Sequence, residues 1–175
     1  NKGYFILPLR TAINAMYKRI SNDIIESKNI NDINKKVSIL HSASLEYYIQ
    51  QFENISDNEF YEIEEYEKEG KQWSIPLNIT TMDQLFDFVF KYQGYELKLT
   101  TLSYSKIVVD EIQMYDPALL AYLIYGLQRI SKLGGRIAIV TATLPPFIND
   151  LLIENINFKE KVEFVNDEIK RHNVE

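Results

Sequence analysis

Short, mostly apolar runs alternate along the chain with longer segments of helical periodicity. Such runs are typical of strands buried on both faces of a parallel sheet. The five predicted strands are 4–7, 37–40, 77–80, 107–109 and 137–140. Helical spacing of apolar residues follows the first, third and fourth runs. This alternation predicts an α/β fold, with helices flanking a parallel sheet.

Several residues in the sequence indicate where helices begin and end. Thr11 is predicted to cap the helix that follows the first strand, and 83–90 is predicted to form one helix. A long helix is predicted after Pro117, because proline is favoured in a first helical turn. The pair Gly134-Gly135 is expected to end that helix. Pro145-Pro146 is expected to prevent immediate continuation beyond the fifth strand.

The negative charge is concentrated in one segment. Residues 53–69 contain eight acidic residues and one basic residue, Lys68, so the net charge of this segment is −7. The net charge of the whole chain is −6, so the rest of the chain carries +1. An acidic chain argues against nucleic-acid binding, but here the charge is local and need not face a nucleic acid. We interpret 43–73 as a helical, partly exposed insertion, with a partner-docking surface as the alternative, because charged runs are usually solvated faces.

Composition excludes several classes of protein. The chain has no cysteine, so disulfides and thiolate metal sites are impossible. It shows no apolar run of membrane-spanning length and no signal-peptide pattern, so we expect a cytoplasmic monomer without membrane contact. Its two histidines, His41 and His172, lie far apart in sequence, and His41 is predicted to be a strand-end residue rather than a metal ligand.

An acidic pair directly follows the fourth strand. In open α/β sheets, ligands bind at the carboxyl ends of the strands, where Asp110 and Glu111 are expected. The arrangement is that of a Walker B motif: Asp110 would hold Mg²⁺ through water, and Glu111 would orient or deprotonate the attacking water. The structural alternative is an acidic pair that caps the next helix.

Two further motifs make the interpretation of this acidic pair more specific. Gln113 completes a string that resembles the Asp-Glu-x-His or Asp-Glu-x-Gln motif of superfamily-2 helicases. About thirty residues later, Thr141-Ala142-Thr143 follows the fifth strand and resembles the Ser/Thr-Ala-Thr motif of the same enzymes. The resemblance implies that Thr141 and Thr143 couple the nucleotide state to movement. Taken alone, a Thr-Ala-Thr string is more often an ordinary strand-to-loop cap.

Two polar segments follow the first and third strands. Arg10 and Thr11 resemble a helicase segment that contacts the nucleic-acid backbone, and the first-turn amides behind Thr11 would form an anion site. The string that contains Thr80, Thr81 and Gln84 resembles a second backbone-contacting motif, in which a threonine hydroxyl reaches a phosphate. Helix capping is the alternative for both segments and is compatible with phosphate binding.

Together these segments resemble the CRISPR-associated helicases of type I systems, the helicase-nucleases recruited by the Cascade surveillance complex. The specific cues are three strings and the closing Lys-Arg-His. They are Arg10-Thr11-Ala12-Ile13-Asn14, Thr80-Thr81-Met82-Asp83-Gln84, Met114-Tyr115-Asp116 and Lys170-Arg171-His172. The resemblance covers nearly the whole chain except the acidic segment.

The resemblance implies that residues 1–175 are part of a first RecA-like motor domain, with 161–175 as the domain end and the start of a linker. It implies ATP and Mg²⁺ as ligands and single-stranded DNA and Cascade as partners, in an ATP-dependent translocase of antiviral defence. The sequence has no Gly-x-x-x-x-Gly-Lys-Thr/Ser loop, which the family carries upstream of the first strand, and it has no metal cluster of a nuclease. We therefore expect a piece of a longer protein that does not turn over ATP by itself.

Two other functions fit the same residues. One is a different superfamily-2 helicase that acts on RNA or in DNA repair. The other is a non-enzymatic module that binds nucleic acid or a partner and never had a phosphate loop. A Gly-Lys-Thr loop within about 30 residues upstream in the parent gene would favour a motor over the non-enzymatic module.

Overall fold

One five-stranded sheet organises the part of the chain that the computed structural model describes, namely residues 2–28, 35–51, 56–160 and 162. The strands are β1 (Gly3–Ile6), β2 (Val37–Leu40), β3 (Leu77–Thr80), β4 (Lys106–Asp110) and β5 (Arg136–Val140). The helices are α1 (Arg10–Lys28), α2 (Ser44–Ile49), α3 (Asp57–Lys71), α4 (Met82–Leu85), α5 (Tyr95–Ser103), α6 (Pro117–Lys132) and α7 (Pro146–Asn155). The strand order is β2-β3-β1-β4-β5, and all neighbouring strands are parallel. The predicted α/β fold with a parallel sheet is confirmed.

Alternate residues of the strands pack into two separate cores. On β1, Tyr4 and Ile6 belong to the core formed with α4, α6 and α7, whereas Phe5 packs in the core formed with α1 and α3. Ile79 lies in the second core and has no exposed surface. Full burial of such a side chain contributes about 1.5–3 kcal/mol, so the central strands are held from both faces.

The edge strand β5 departs from this pattern. Ile137 and Ile139 pack against the first core, but Arg136, Ala138 and Val140 point to the other face and are exposed. Val140 is 52% exposed. Among the described residues, therefore, nothing covers one face of β5, whereas parallel strands are usually covered on both faces.

Several helix predictions need correction. Thr11 does not cap α1: the helix begins at Arg10, and the amide of Ile13 donates to the carbonyl of Leu9 at 3.0 Å. The single helix predicted over 83–90 is instead the short α4 followed by a 3-10 segment, Phe86–Phe90, which ends where Lys91 takes a positive φ of 54°.

The long helix matches its prediction. Pro117 is the first residue of α6, and Asp116 caps it by accepting hydrogen bonds from the amides of Ala118 (2.9 Å) and Leu119 (3.0 Å). The helix ends at Lys132, and Gly134 follows with a φ of +103°, a conformation that favours glycine.

The acidic segment is helical, as predicted, and its apolar side is part of the core. Ser56 and Glu59 form a capping box at the start of α3. Tyr48, Ile63 and Tyr66 are buried in the core beneath α1. The hydroxyl of Tyr48 accepts a hydrogen bond from the amide of Ile39 at 2.8 Å, so this segment is tied to β2 rather than projecting from the domain.

Two remaining expectations concern the tail and membranes. The predicted domain end and linker at 161–175, including Lys170-Arg171-His172, lie outside the described residues apart from Val162. None of the helices described combines the length and the hydropathy that a bilayer span requires.

Candidate functional site

The acidic pair lies at the carboxyl end of β4, beside the end of β5. Asp110 is the last residue of β4 and is paired in register with Val140. The amide of Glu111 donates to the carbonyl of Val140 at 2.9 Å, which fixes the pair against the neighbouring strand. Glu111 has φ 50° and ψ 48°, the left-handed region that costs energy for any residue with a side chain. Strained backbone of this kind clusters at functional sites.

Side-chain hydrogen bonds join this pair to the Thr-Ala-Thr segment. The Gln113 amide nitrogen donates to the Glu111 carboxylate, and the Gln113 amide oxygen accepts from the Thr141 hydroxyl. The Thr141 hydroxyl also lies 2.7 Å from the Thr143 carbonyl oxygen and accepts from the Thr143 amide at 3.2 Å. Four of the predicted site residues on two adjacent strand ends therefore form one connected network.

The surroundings of Asp110 disfavour its ionised form. Burial and the neighbouring Glu111 carboxylate raise the pKa of Asp110, because both disfavour a second negative charge there. A bound Mg²⁺ would reverse that preference. The described residues contain no group of three or more His, Cys, Asp or Glu placed to hold a metal. Mg²⁺ commonly uses one or two carboxylates together with water and substrate phosphate, so this donor set fits it.

Arg10 and Thr11 form the exposed first turn of α1, directly after β1. First-turn amides lack intrahelical partners, so this turn can bind an anion beside the Arg10 guanidinium. His41 lies close by: its Nε2 is 2.9 Å from Asn14 Oδ1, and its Nδ1 accepts from the Ala43 amide at 3.1 Å. The proton is thus on Nε2. Burial and the Arg10 charge lower the pKa of His41, and both of its ring nitrogens have hydrogen-bond partners within the chain.

The two threonines after β3 differ from their predicted role. Thr80 has no exposed surface, and its hydroxyl donates to the Thr81 carbonyl at 3.0 Å, so it offers nothing to a phosphate in this conformation. Thr81 is half-buried, and its hydroxyl has no hydrogen-bond partner in the described part of the chain. Gln84 is half-buried and donates to the Asp83 carboxylate at 3.2 Å. The register of β3 turns the Thr80 side chain into the core, so the Thr81 hydroxyl is the one left without a partner among the described residues.

Tyr115 is a site residue whose role the sequence pattern does not indicate. Its hydroxyl is buried without a hydrogen-bond partner among the described residues, and burial followed by the charges of Asp83 and Asp110 raises its pKa. It lines a cavity of about 320 Å³ with Leu9 and Asp83. Tyr115 thus lies between the acidic pair and the segments after β1 and β3. The string Met114-Tyr115-Asp116 marks its position, but only the fold reveals its neighbours.

The order of the strands sorts the motifs into two halves. Neighbouring strands lie about 4.8 Å apart, so their carboxyl ends form one continuous edge. Along it come Thr81 after β3, Arg10 after β1, Glu111 after β4 and Thr141 after β5. Arg10 and Thr81 lie in one half of this edge, and the acidic pair with its hydrogen-bond network to Thr141 lies in the other.

The parallel sheet with these strand ends defines a RecA-like α/β domain. No family model matches the chain. The chain is 26% identical over 159 residues to the CRISPR-associated nuclease/helicase Cas3 of Methanothermobacter thermautotrophicus, a match that spans 90% of this chain and 18% of that protein. The resemblance to CRISPR-associated helicases that the motifs predict is thereby confirmed.

Solved structures show the same fold. T. fusca Cas3 with ATP superposes with a TM-score of 0.68 at 20% identity, over 88% of this chain and 16% of that one. The DUF1998 helicase MrfA superposes with a TM-score of 0.53 at 14% identity, over 89% of this chain and 22% of that one. At these identities the likeness establishes the RecA-like fold alone. The chain spans less than a fifth of the length of the curated relative it matches.

Proposed function

We propose that this chain is part of the first motor domain of a CRISPR-associated helicase, an ATP-dependent translocase on single-stranded DNA. The observation that carries the proposal is the network from Glu111 through Gln113 to Thr141, which links an acidic pair to the next strand end. A cap or a surface acidic pair does not require this link. The similarity to Cas3 over 90% of the chain supports the same function.

In this proposal the carboxylate half of the edge serves the nucleotide. Bound Mg²⁺ would neutralise phosphate charge, with Asp110 as its protein ligand through water. Glu111 orients the attacking water and accepts its proton, while the Gln113 amide fixes the carboxylate's direction. Thr141 and Thr143 carry changes at Gln113 into the loop before α7. Three of the structural neighbours are T. fusca Cas3 with ATP, ADP and AMPPNP, which supports a nucleotide ligand.

The other half of the edge serves DNA. Arg10 and the first-turn amides of α1 bind backbone phosphates, and Thr81 contributes a hydroxyl that has no partner within the described chain. Thr80 is left out of this role because its hydroxyl already donates to the Thr81 carbonyl. Gln84 lies on α4, one turn from Thr81, and completes the contact.

The uncovered face of β5 suggests where the phosphate loop belongs. Ala138 and Val140 leave apolar surface exposed at the edge of the sheet, beside Thr141. A segment of a longer protein that packs there would bring its phosphate-binding loop next to Asp110 and Glu111. We propose that the isolated chain, whose sequence contains no Gly-x-x-x-x-Gly-Lys-Thr/Ser motif, does not hydrolyse ATP. Robust Mg²⁺-ATP hydrolysis by the isolated 175 residues would contradict this assignment.

The family resemblance supplies the remaining parts of the proposal. The working partner is a Cascade-type surveillance complex in the cytoplasm, and the chain acts as a monomer within its motor. The boundaries are those of a partial first RecA-like domain over 1–175, with 43–73 as an insertion and 161–175 leading into a linker.

The test of the nucleotide half uses the longer parent protein. Glu111→Gln should abolish DNA-stimulated ATP hydrolysis while a fluorescent ATP analogue still binds with nearly unchanged affinity, because the change removes the base and keeps the side-chain size. Glu154→Gln on α7 makes the same change away from the edge and should leave turnover intact. Normal turnover in Glu111→Gln would remove Glu111 from the catalytic role.

The test of the DNA half uses salt dependence. Arg10→Ala should weaken binding of single-stranded DNA and reduce the slope of log K against log salt by roughly 0.7, the contribution of one phosphate contact. Arg19→Ala removes the same charge from an exposed position further along α1 and should leave the slope unchanged. Equal slopes for Arg10→Ala and the parent would exclude a phosphate contact at Arg10.

A further inference from the structure

A second cavity, of about 420 Å³, lies between α1, α2 and α3 and is lined by none of the residues assigned to nucleotide or DNA binding. Its α1 wall includes Tyr17 and Ser21. Ser21 follows Thr11 by ten residues, which places it about 15 Å along the helix from the proposed phosphate site. The cavity is therefore separate from the carboxyl edge of the sheet.

Tyrosine rings form the wall of this cavity. Tyr17, Tyr47 and Tyr48 have ring centroids 6.1 Å apart in each pair, with steep angles between the ring planes. Tyr48 is buried, whereas Tyr17 and Tyr47 are half-buried and present surface to the cavity. Burial and the neighbouring Tyr17 raise the pKa of Tyr47, so its hydroxyl remains a neutral donor. The faces of such rings attract cations and planar guanidinium groups.

Ser21 contributes a polar group that lacks a partner. The residue is 7% exposed, and its hydroxyl has no hydrogen-bond partner within the described chain. Most buried hydroxyls are hydrogen-bonded, so an unpartnered one that lines a cavity indicates a ligand atom opposite it. A ligand N–H group would satisfy the Ser21 oxygen.

The rim of the cavity is negatively charged. Glu59 and Glu62 of α3 line it, against one base, Lys18. Hydrogen bonds from the Ser56 side chain and backbone lower the pKa of Glu59, which keeps it ionised. The acidic surface continues beyond the cavity, because α3 contains seven acidic residues and two basic ones. Phosphate groups and nucleic acid are disfavoured at such a surface.

We propose that this cavity is the docking site for an arginine side chain on a basic segment of a partner protein. The guanidinium stacks against Tyr17 or Tyr47 and donates hydrogen bonds to Ser21 and to the carboxylate of Glu62. Further basic residues of the same segment lie along the acidic face of α3. The charge of α3 is what selects a basic protein segment over a neutral ligand.

The test measures peptide binding to the full chain by fluorescence anisotropy. The probe is a labelled Gly-Arg-Gly-Arg-Arg-Gly peptide, compared with the same peptide carrying citrulline, the uncharged analogue of arginine. Glu62→Gln should weaken binding roughly fivefold, and Ser21→Val roughly tenfold. Glu65→Gln removes the same charge from an exposed position of α3 outside the cavity and should weaken binding by less than about twofold.

Several results would overturn the proposal. Equal affinity for the citrulline peptide would exclude recognition of the cation. Equal losses in Glu62→Gln and Glu65→Gln would show diffuse attraction to an acidic helix without a defined cavity. Circular dichroism checks that each variant is folded. If Ser21→Val fails to fold, Ser21→Ala tests the hydroxyl without adding bulk.

Discussion

The left-handed backbone at Glu111 predicts that glycine is more stable than alanine at this position, the reverse of their order within a helix. At φ 50° and ψ 48°, a side chain at this position costs about 1–2 kcal/mol. Glu111→Ala and Glu111→Gly both remove the carboxylate and its bond to Gln113, so their difference isolates the backbone. Glycine relieves the strain but increases the freedom of the unfolded chain, which offsets about 0.4–1 kcal/mol. We expect Glu111→Gly to be more stable than Glu111→Ala by roughly 0.5–1 kcal/mol.

Urea unfolding followed by circular dichroism measures this difference. The matched control is the same pair of substitutions at Glu64, an exposed position within α3. There glycine should be less stable than alanine by about 0.5–1 kcal/mol, as in any ordinary helix. Opposite signs at the two positions support the strained backbone. A Glu111→Gly variant that is equal to or less stable than Glu111→Ala would refute the reasoning.

The result also bears on function. If glycine is the more stable residue at position 111, stability alone does not explain a glutamate there. We expect Glu111→Gly in the longer parent protein to gain stability over Glu111→Ala and still lack DNA-stimulated ATP hydrolysis. Comparing unfolding free energy with turnover in the same variants separates the two requirements.

Three further changes have defined outcomes. Asp116→Ala should lower the free energy of unfolding by about 1 kcal/mol through loss of the α6 cap, while Asp116→Asn keeps most of it. Burial and the Arg10 charge lower the folded-state pKa of His41 below its ordinary 6.5, so the unfolded state takes up the proton first as pH falls. The free energy of unfolding should therefore decrease below about pH 6.5. His41→Gln should flatten this pH dependence, as measured by urea titrations. Gly126→Ala places a Cβ 2.1 Å from the Phe86 ring, so it should cost about 1–3 kcal/mol despite better helix propensity, and Phe86→Leu should recover part of that loss in thermal unfolding.

Local patterns predict the strands and most of the edge chemistry. Every strand lies within one residue of its predicted bounds, because each is a short, mostly apolar run flanked by residues that favour turns or helices. Asp110 and Glu111 fall at a strand end for the same reason. The helices α5 and α7 are not predicted. α5 begins directly after Gly94, which adopts a φ of +86°, and α7 begins at Pro146, one of the two prolines expected to prevent continuation beyond the fifth strand.

Contacts between distant segments are what the sequence leaves undetermined. The amide of Gln113 reaches Thr141 only because β4 and β5 are neighbours, which no local pattern states. Which threonine hydroxyl has an internal partner after β3 depends on the fold: the Thr80 hydroxyl donates to the Thr81 carbonyl, whereas the Thr81 hydroxyl has no partner among the described residues. The cavity at Ser21 likewise depends on α2 and α3 packing together over α1.

The Thr141 hydroxyl shows how one atom can connect the two halves of the nucleotide network. It lies within hydrogen-bond distance of the Gln113 amide oxygen and of the Thr143 carbonyl oxygen, yet a hydroxyl has only one hydrogen to donate. A stronger bond to one acceptor therefore weakens the bond to the other. We therefore propose that an event that moves Gln113 with the Glu111 carboxylate changes the hydrogen bonding of the loop before α7. In this proposal, the single hydrogen of the Thr141 hydroxyl couples the acidic pair to that loop.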